Sequence, residues 1–326
     1  MNTTQDVKKI YGNTLYELMK ENGEIAAVDV DLMRIAGTER IAKDLPERYV
    51  NAGIAEQNAV SVAAGLAAMG KTVFVSAFCE FLATRASDQC LETVCYNGLD
   101  VKLIGTYAGI SSGLNGGTHI SINDLAVFRS MPGMKVMEPA DGRELAWAIR
   151  EAADVRGPVY IRVPKGPLHE IFPYDRVFQM GKGHLLSEIS QGEPAAKHIA
   201  LVTSGITTYE GIGAAKLLRE KGISITHVHM TSIKPIDQEL ILSLAGTHDV
   251  IVTADNHSVI GGLGSAVCEI TSADTPVQVV RLGVDDEFCE GMTERQLAQR
   301  HGISSVQIAK TIQALAEASG EGGACI

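Results

Sequence analysis

From residue 25 onward, short runs of aliphatic and β-branched residues alternate with longer stretches whose apolar positions recur every three or four residues. A run that is apolar throughout suits a strand buried on both faces, and the wider spacing suits a helix with one covered face. In the first half the pattern predicts strands at 25–30, 48–51, 73–77, 101–107, 135–138 and 158–163. Helices are predicted between them at 7–20, 56–69, 81–96, 124–130 and 142–153. This alternation is that of parallel sheets covered by helices, so the expected class is α/β.

The alternation pauses from 164 to about 197, where Pro, Gly and polar residues crowd around a ribbon-like stretch at 177–186. It resumes with strands at 198–203, 223–229, 250–254 and 277–282, and helices at 208–221, 237–244, 264–271, 293–300 and 304–318. Two consecutive α/β domains with mostly parallel sheets are therefore expected, at 1–180 and 192–326, joined by a linker at 181–191. The tail GEGGACI is expected to fray.

Composition narrows the function classes. The 326 residues match a two-domain prior, and 45% apolar with 21% charged residues is ordinary for a soluble globular protein. Acidic residues outnumber basic ones, 39 to 28, and the net charge of −11 opposes binding to a phosphate backbone, so nucleic acid is excluded as a partner. The opening MNTTQDVKKI has no apolar leader core, and the longest apolar stretch, 59–69, falls far short of the ~20 residues a membrane helix needs. A soluble, cytoplasmic protein without membrane contact is expected. Cys79, Cys90, Cys95, Cys268, Cys289 and Cys325 form no C-x-x-C pair and read as reduced thiols.

In open α/β sheets ligands bind beyond the carboxyl ends of the strands, and the first domain concentrates chemistry there. Asp29 and Asp31 end the first strand, NAGIAE leads from the second to Glu56, and Phe78 and Phe81 follow the third. Tyr107 opens the glycine-rich loop AGISSGLNGGTH, which passes Asn115 and closes on His119; Arg162 lies on the last strand. Glu56 opens an almost wholly apolar helix, so its carboxyl either faces the amides of the first turn or shares a proton in a dry site. The Phe78/Phe81 spacing favours core packing over a ring platform, and Arg162 is either an ion-pair partner or an anion clamp. In the second domain, Gly261–Gly264 reads as close helix packing, and His227 with His229 lacks a third metal ligand. Asp255, Asn256 and His257 at a strand end offer a subunit contact or small ion site.

The segments AVDVDL, RYVNAGIAEQNAVSVAAGLAAMG, FCEFLATRASDQ, GLNGGTH, PADGRELAWAIR and GPVYIRVPKG, in this order, resemble the transketolase family of thiamine-diphosphate enzymes. The resemblance spans the pyrimidine-binding and C-terminal domains of that family. It implies that Glu56 hydrogen-bonds N1′ of the cofactor aminopyrimidine, that Phe81 stacks on this ring beside Phe78, and that Leu32, next to Asp31, packs against the thiazolium. It further implies that His119 contacts substrate oxygens and that Arg162 grips a sugar phosphate. The family's diphosphate-binding motif begins with G-D-G, which this sequence lacks. The expectation is one half of a split transketolase: an N-terminal diphosphate-binding subunit would hold Mg²⁺ or Ca²⁺, the assembly would be α₂β₂, and the chain would be inactive alone.

Asn115, Gly117 and Tyr107 stand where the family often has Asp, Pro and His, which unsettles the choice of sugar or sugar-phosphate substrate rather than two-carbon ketol transfer itself. Three rivals share parts of the pattern: the β subunit of a 2-oxoacid dehydrogenase, a deoxyxylulose-phosphate synthase, and a non-catalytic assembly subunit. Retention of Glu56, Phe81 and His119 weighs against the last.

Overall fold

A computed structural model describes residues 4–189 and 197–318. The GEGGACI tail with Cys325, and residues 190–196 at the end of the expected linker, lie outside the described residues. The first domain runs β1 (Thr4–Gln5), α1 (Val7–Glu21), β2 (Ile25–Asp29), α2 (Met33–Ala36), α3 (Glu39–Asp44), β3 (Tyr49–Asn51), α4 (Glu56–Ala68), β4 (Thr72–Phe78) and α5 (Cys79–Ala83). It continues through β5 (Val101–Thr106), α6 (Asp124–Ser130), β6 (Lys135–Met137), α7 (Gly142–Asp154), β7 (Val159–Val163) and β8 (Leu168–His169). The second contains β9 (His184–Ser187), β10 (Ile199–Thr203), α8 (Thr207–Arg219), β11 (Thr226–His229), β12 (Ser232–Lys234), α9 (Gln238–Thr247) and β13 (Val250–Ser258). It ends with α10 (Leu263–Ala273), β14 (Gln278–Val284), α11 (Glu294–Arg300) and α12 (Ser305–Glu317).

The larger sheet has the order β12-β6-β7-β5-β4-β2-β3, and every pair in it is parallel except β12 with β6. The second sheet, β14-β13-β10-β11-β9, is parallel except at β9. Both orders place helices on the two faces, as the near-continuous apolar strands require. Thus β2, β5 and β7 are buried at every position, and β10 likewise.

Two features tie the domains together. The expected linker is no spacer, because its 184–187 stretch is β9 and pairs with β11. In turn β12, from the second domain, adds an antiparallel edge to the first sheet, and Lys234 donates to the Arg129 and Met131 carbonyls at the end of α6. One apolar core runs across the seam from Val28, Val75 and Phe128 to Val202, Ile241 and Leu263.

Other departures have local causes. The predicted helix at 81–96 breaks into α5 and a π-helical stretch, Gln89–Cys95, because the Thr84 and Ser87 hydroxyls donate to the Glu80 and Thr84 carbonyls and compete with the helical ladder. The strand at 48–51 starts late, after a turn at Pro46–Arg48. Strand β13 runs on to Ser258, so Asp255, Asn256 and His257 are buried inside it rather than presented at its end. No helix of the described residues is long and apolar enough to cross a membrane.

Candidate active site

The carboxyl ends of β2, β4 and β5 meet at one edge, and their connections supply most of the expected residues. Glu56 is buried at the first turn of α4, 2% exposed. Its carboxyl is not isolated, since Arg85 Nη1 donates to Glu56 Oε2 at 2.7 Å. The same guanidinium lies 4.2 Å from the centre of the Phe81 ring, a cation–π position. Phe78 and Phe81 are half-buried and meet edge to face at 5.8 Å, outside the packed cores. His119 closes the group, 5.2 Å from Phe81 and 5.9 Å from Phe78, with the Thr118 hydroxyl 3.0 Å from its Nδ1. Tyr107 completes the ring cluster 4.8 Å from Phe78.

The backbone at this edge is held under constraint. Asp31 (φ 66°) and Tyr107 (φ 64°) are the two non-glycine residues, among those described, in the left-handed region. Such positions cost on the order of 1–3 kcal/mol and persist only where the surroundings impose them. Here Asn51 Oδ1 accepts from the Asp31 and Gly53 amides, while the buried Asp29 carboxylate accepts from the Leu32 amide and the Thr38 hydroxyl. Burial pushes the Asp29 carboxyl above its usual range. Leu32 is half-buried against the shared core, and Asp31 is exposed.

The glycine-rich loop is braced by the second domain. Asn256 accepts from the Ile110 amide at 2.7 Å and donates to the Ala108 carbonyl at 3.0 Å. A Cβ on Gly109 would fall 2.2 Å from the Asn256 carbonyl oxygen, so only glycine permits this approach.

Arg162 does not reach this mouth. It is wholly buried on β7, with Nε and Nη2 on Asp124 at 2.8 and 3.0 Å, Nη1 on Glu138 at 2.6 Å, and Nη2 also on the Ser121 carbonyl. The anion clamp expected of it is corrected to a buried ion-pair hub, because its donors are consumed by two carboxylates and a carbonyl. Burial alone would push the Asp124 carboxyl up, but Arg162 and His257 hold it below its usual range. Glu138 extends the hub across the seam by accepting from the Ser204 hydroxyl.

A second cation at the mouth, besides Arg85, is Lys165, two residues beyond β7. Its Nζ lies 3.1 Å from Asn115 Oδ1 and 4.9 Å from the Tyr107 ring centre, and Ser111 Oγ accepts from its backbone amide. Reading motifs passed over Lys165 and Arg85. A lysine directly beyond a strand end, and an arginine four residues after Phe81 on a helical pattern, were the available signals.

Residues 3–170 match the model of the transketolase pyrimidine-binding domain, and residues 191–308 that of the transketolase C-terminal domain. The chain belongs to the transketolase family. Among its relatives is a putative transketolase C-terminal section of Methanocaldococcus jannaschii, 37% identical across 94% of this chain and 95% of that protein. A 6-deoxy-6-sulfo-D-fructose transketolase subunit of Clostridium sp. (strain MSTE9) is also 37% identical, across 95% and 94%. A solved split-gene transketolase in an inactive β4 tetramer superposes with a TM-score of 0.85 at 40% identity, covering 95% of this chain and 98% of that one. The family implies dependence on thiamine diphosphate. The edge described above offers a buried acid and half-buried ring faces, a donor set that fits the cofactor's aminopyrimidine.

Proposed function

We propose that this chain is the pyrimidine-binding subunit of a thiamine-diphosphate-dependent transketolase that moves a two-carbon ketol unit from a ketose to an aldose. The observation that carries the reading is Glu56: a buried carboxyl at a helix start, beside Phe81 and His119, in a transketolase-family chain. When bound, thiamine diphosphate supplies the carbon that adds to the ketose carbonyl and carries the two-carbon unit. Glu56 holds a proton at N1′ of the pyrimidine, Arg85 positions that carboxyl, and Phe78 and Phe81 flank the ring and exclude water. Leu32 supports the thiazolium side, with Asp31 framing it. His119, with Asn115 and Tyr107, meets substrate oxygens.

Lys165 takes the place first given to Arg162 and pairs with a terminal anion, phosphate or sulfonate, on the sugar. The separate diphosphate-binding subunit brings Mg²⁺ or Ca²⁺ and completes an α₂β₂ assembly. Cys79, Cys90, Cys95, Cys268 and Cys289 are unpaired, which supports a reducing, cytoplasmic setting.

The test is reconstitution with a candidate diphosphate-binding subunit, thiamine diphosphate and Mg²⁺, screening phosphorylated and sulfonated ketose donors against aldose acceptors. Ketol transfer only in the mixture supports the reading. Condensation of pyruvate with glyceraldehyde 3-phosphate, or pyruvate-dependent acylation of lipoamide, would replace it with the synthase or dehydrogenase.

A further inference from the structure

On the far side of the glycine-rich loop, where the two domains meet, lies a cavity of about 370 Å³, within the ~300–1,000 Å³ range of small-molecule sites. Ile110 and His169 line it from the first domain, and Tyr209, Glu210, Glu294 and Ser304 from the second. The His169 and Tyr209 rings stack across the seam at 3.7 Å and 11°, giving one wall a flat aromatic face.

Its polar groups are unevenly matched. Glu210 Oε2 already accepts from the Ser305 amide and hydroxyl, so the positive end of α12 is occupied by a carboxylate and offers little to an incoming anion. Glu294 adds a second carboxyl, and Arg295 one cation, which leaves the lining with an excess negative charge. Partial desolvation, with Glu210 adding to it, raises the Glu294 carboxyl above its usual range, so a cation seated beside it favours its charged form. Ser304 Oγ and His169 Nδ1 are buried with no hydrogen-bond partner among the described residues, and Ser304 itself is 9% exposed. A buried polar group left unpaired burdens the fold, and a ligand bearing a matching group relieves it.

We propose that this inter-domain cavity binds a small organic ammonium ion, its charged head between Glu294 and Glu210, its hydrogen-bonding atoms on Ser304 Oγ and His169 Nδ1, and its apolar body against Ile110. The site is separate from the mouth that holds Glu56 and touches it through one loop. Ile110 stands five residues before Asn115, and a Cβ on Gly113 would lie 3.3 Å from the Met292 carbonyl, beside α11.

The experiment titrates the full chain with three probes of similar shape, benzylammonium, benzyl alcohol and benzoate, by calorimetry. Benzylammonium is expected to bind at least ten-fold more tightly than benzyl alcohol, with benzoate weakest. Glu294→Gln, at a surface-accessible position, is expected to weaken benzylammonium binding at least ten-fold, while Glu56→Gln leaves it unchanged. The last comparison keeps failure of this site distinguishable from failure of the ketol-transfer reading. Hydrogen exchange is expected to slow at 168–169 and 304–306 on binding. Equal affinity for the three probes, wild-type binding by Glu294→Gln, or protection confined to other segments would overturn the proposal.

Discussion

Both domains deliver polar residues near the carboxyl ends of parallel strands, yet they use them in opposite ways. In the first, Glu56, Phe78, Tyr107 and His119 surround a mouth whose rings stay half-buried, and Lys165 and Asn115 lie exposed at its edge. In the second, Thr203, His227 and His229 and the run Asp255 to His257 are buried. His229 pairs with Glu144 of the first domain at 2.9 Å, His227 with Thr203, and Asn256 clamps the loop that carries Asn115. One strand-end position is thus a reagent when its neighbours leave a face open, and a fastener when another domain covers it.

The sharpest way to break this contrast is Glu56→Gln, which keeps the shape and loses the exchangeable proton. In the reconstituted enzyme turnover is expected to fall by ~10²–10⁴, with a melting temperature close to wild type. Near-normal turnover would move the mouth into the fastener class.

Arg162→Ala tests the other side. Removing one partner of a buried ion pair typically costs about 3–5 kcal/mol, so the chain should unfold at much lower denaturant. A stable variant that loses only anionic substrates would return Arg162 to the mouth. For Lys165→Ala the expected pattern is the reverse. Loss of a charge-assisted bond worth roughly 1.5–3 kcal/mol lowers kcat/KM about 10- to 150-fold for anionic sugars, and hardly at all for uncharged analogues, with stability unchanged. Equal losses on both substrate sets would remove Lys165 from recognition.

The last effect is a matter of pH. Burial, with Glu138 adding to it, pushes Asp255 up to about 7, whereas an unfolded Asp titrates near ~3.9. The folded chain therefore holds this proton more tightly than the unfolded chain, and stability is lost as pH rises from about 4 to about 7. Asp255→Asn keeps an acceptor for the Leu263 amide and removes that loss. Denaturant midpoints should shift upward at pH 8, and that gain should disappear near pH 4. A constant offset across that range would place the proton elsewhere in the hub.

Much of the first-domain edge was legible before any fold was in hand. Strand ends can be read from where apolar runs stop, so Glu56, Phe78, Tyr107 and His119 could be assigned to one edge. Arg85 and Lys165 stood in the same motifs but became visible only through their partners, Glu56 and Asn115. The break in the helix at 81–96 was hidden because the hydroxyls of Thr84 and Ser87 leave the apolar period intact.

Local patterning along the chain was enough for the α/β class and the order of most strands and helices, because burial on two faces and helical periodicity are written in residue spacing, while the family rested on ordered motifs such as GIAEQ and GLNGGTH. Patterning had no means of choosing between ion pair and clamp for Arg162. That depended on Asp124 and Glu138, distant in the chain, arriving at the same buried point. Nor could it send β12 to the first sheet or place His229 against Glu144, since these pairings are selected by which apolar faces meet across the seam. A side chain's type limits what it can bond, and the fold decides whether protein or solvent is there to bond with it.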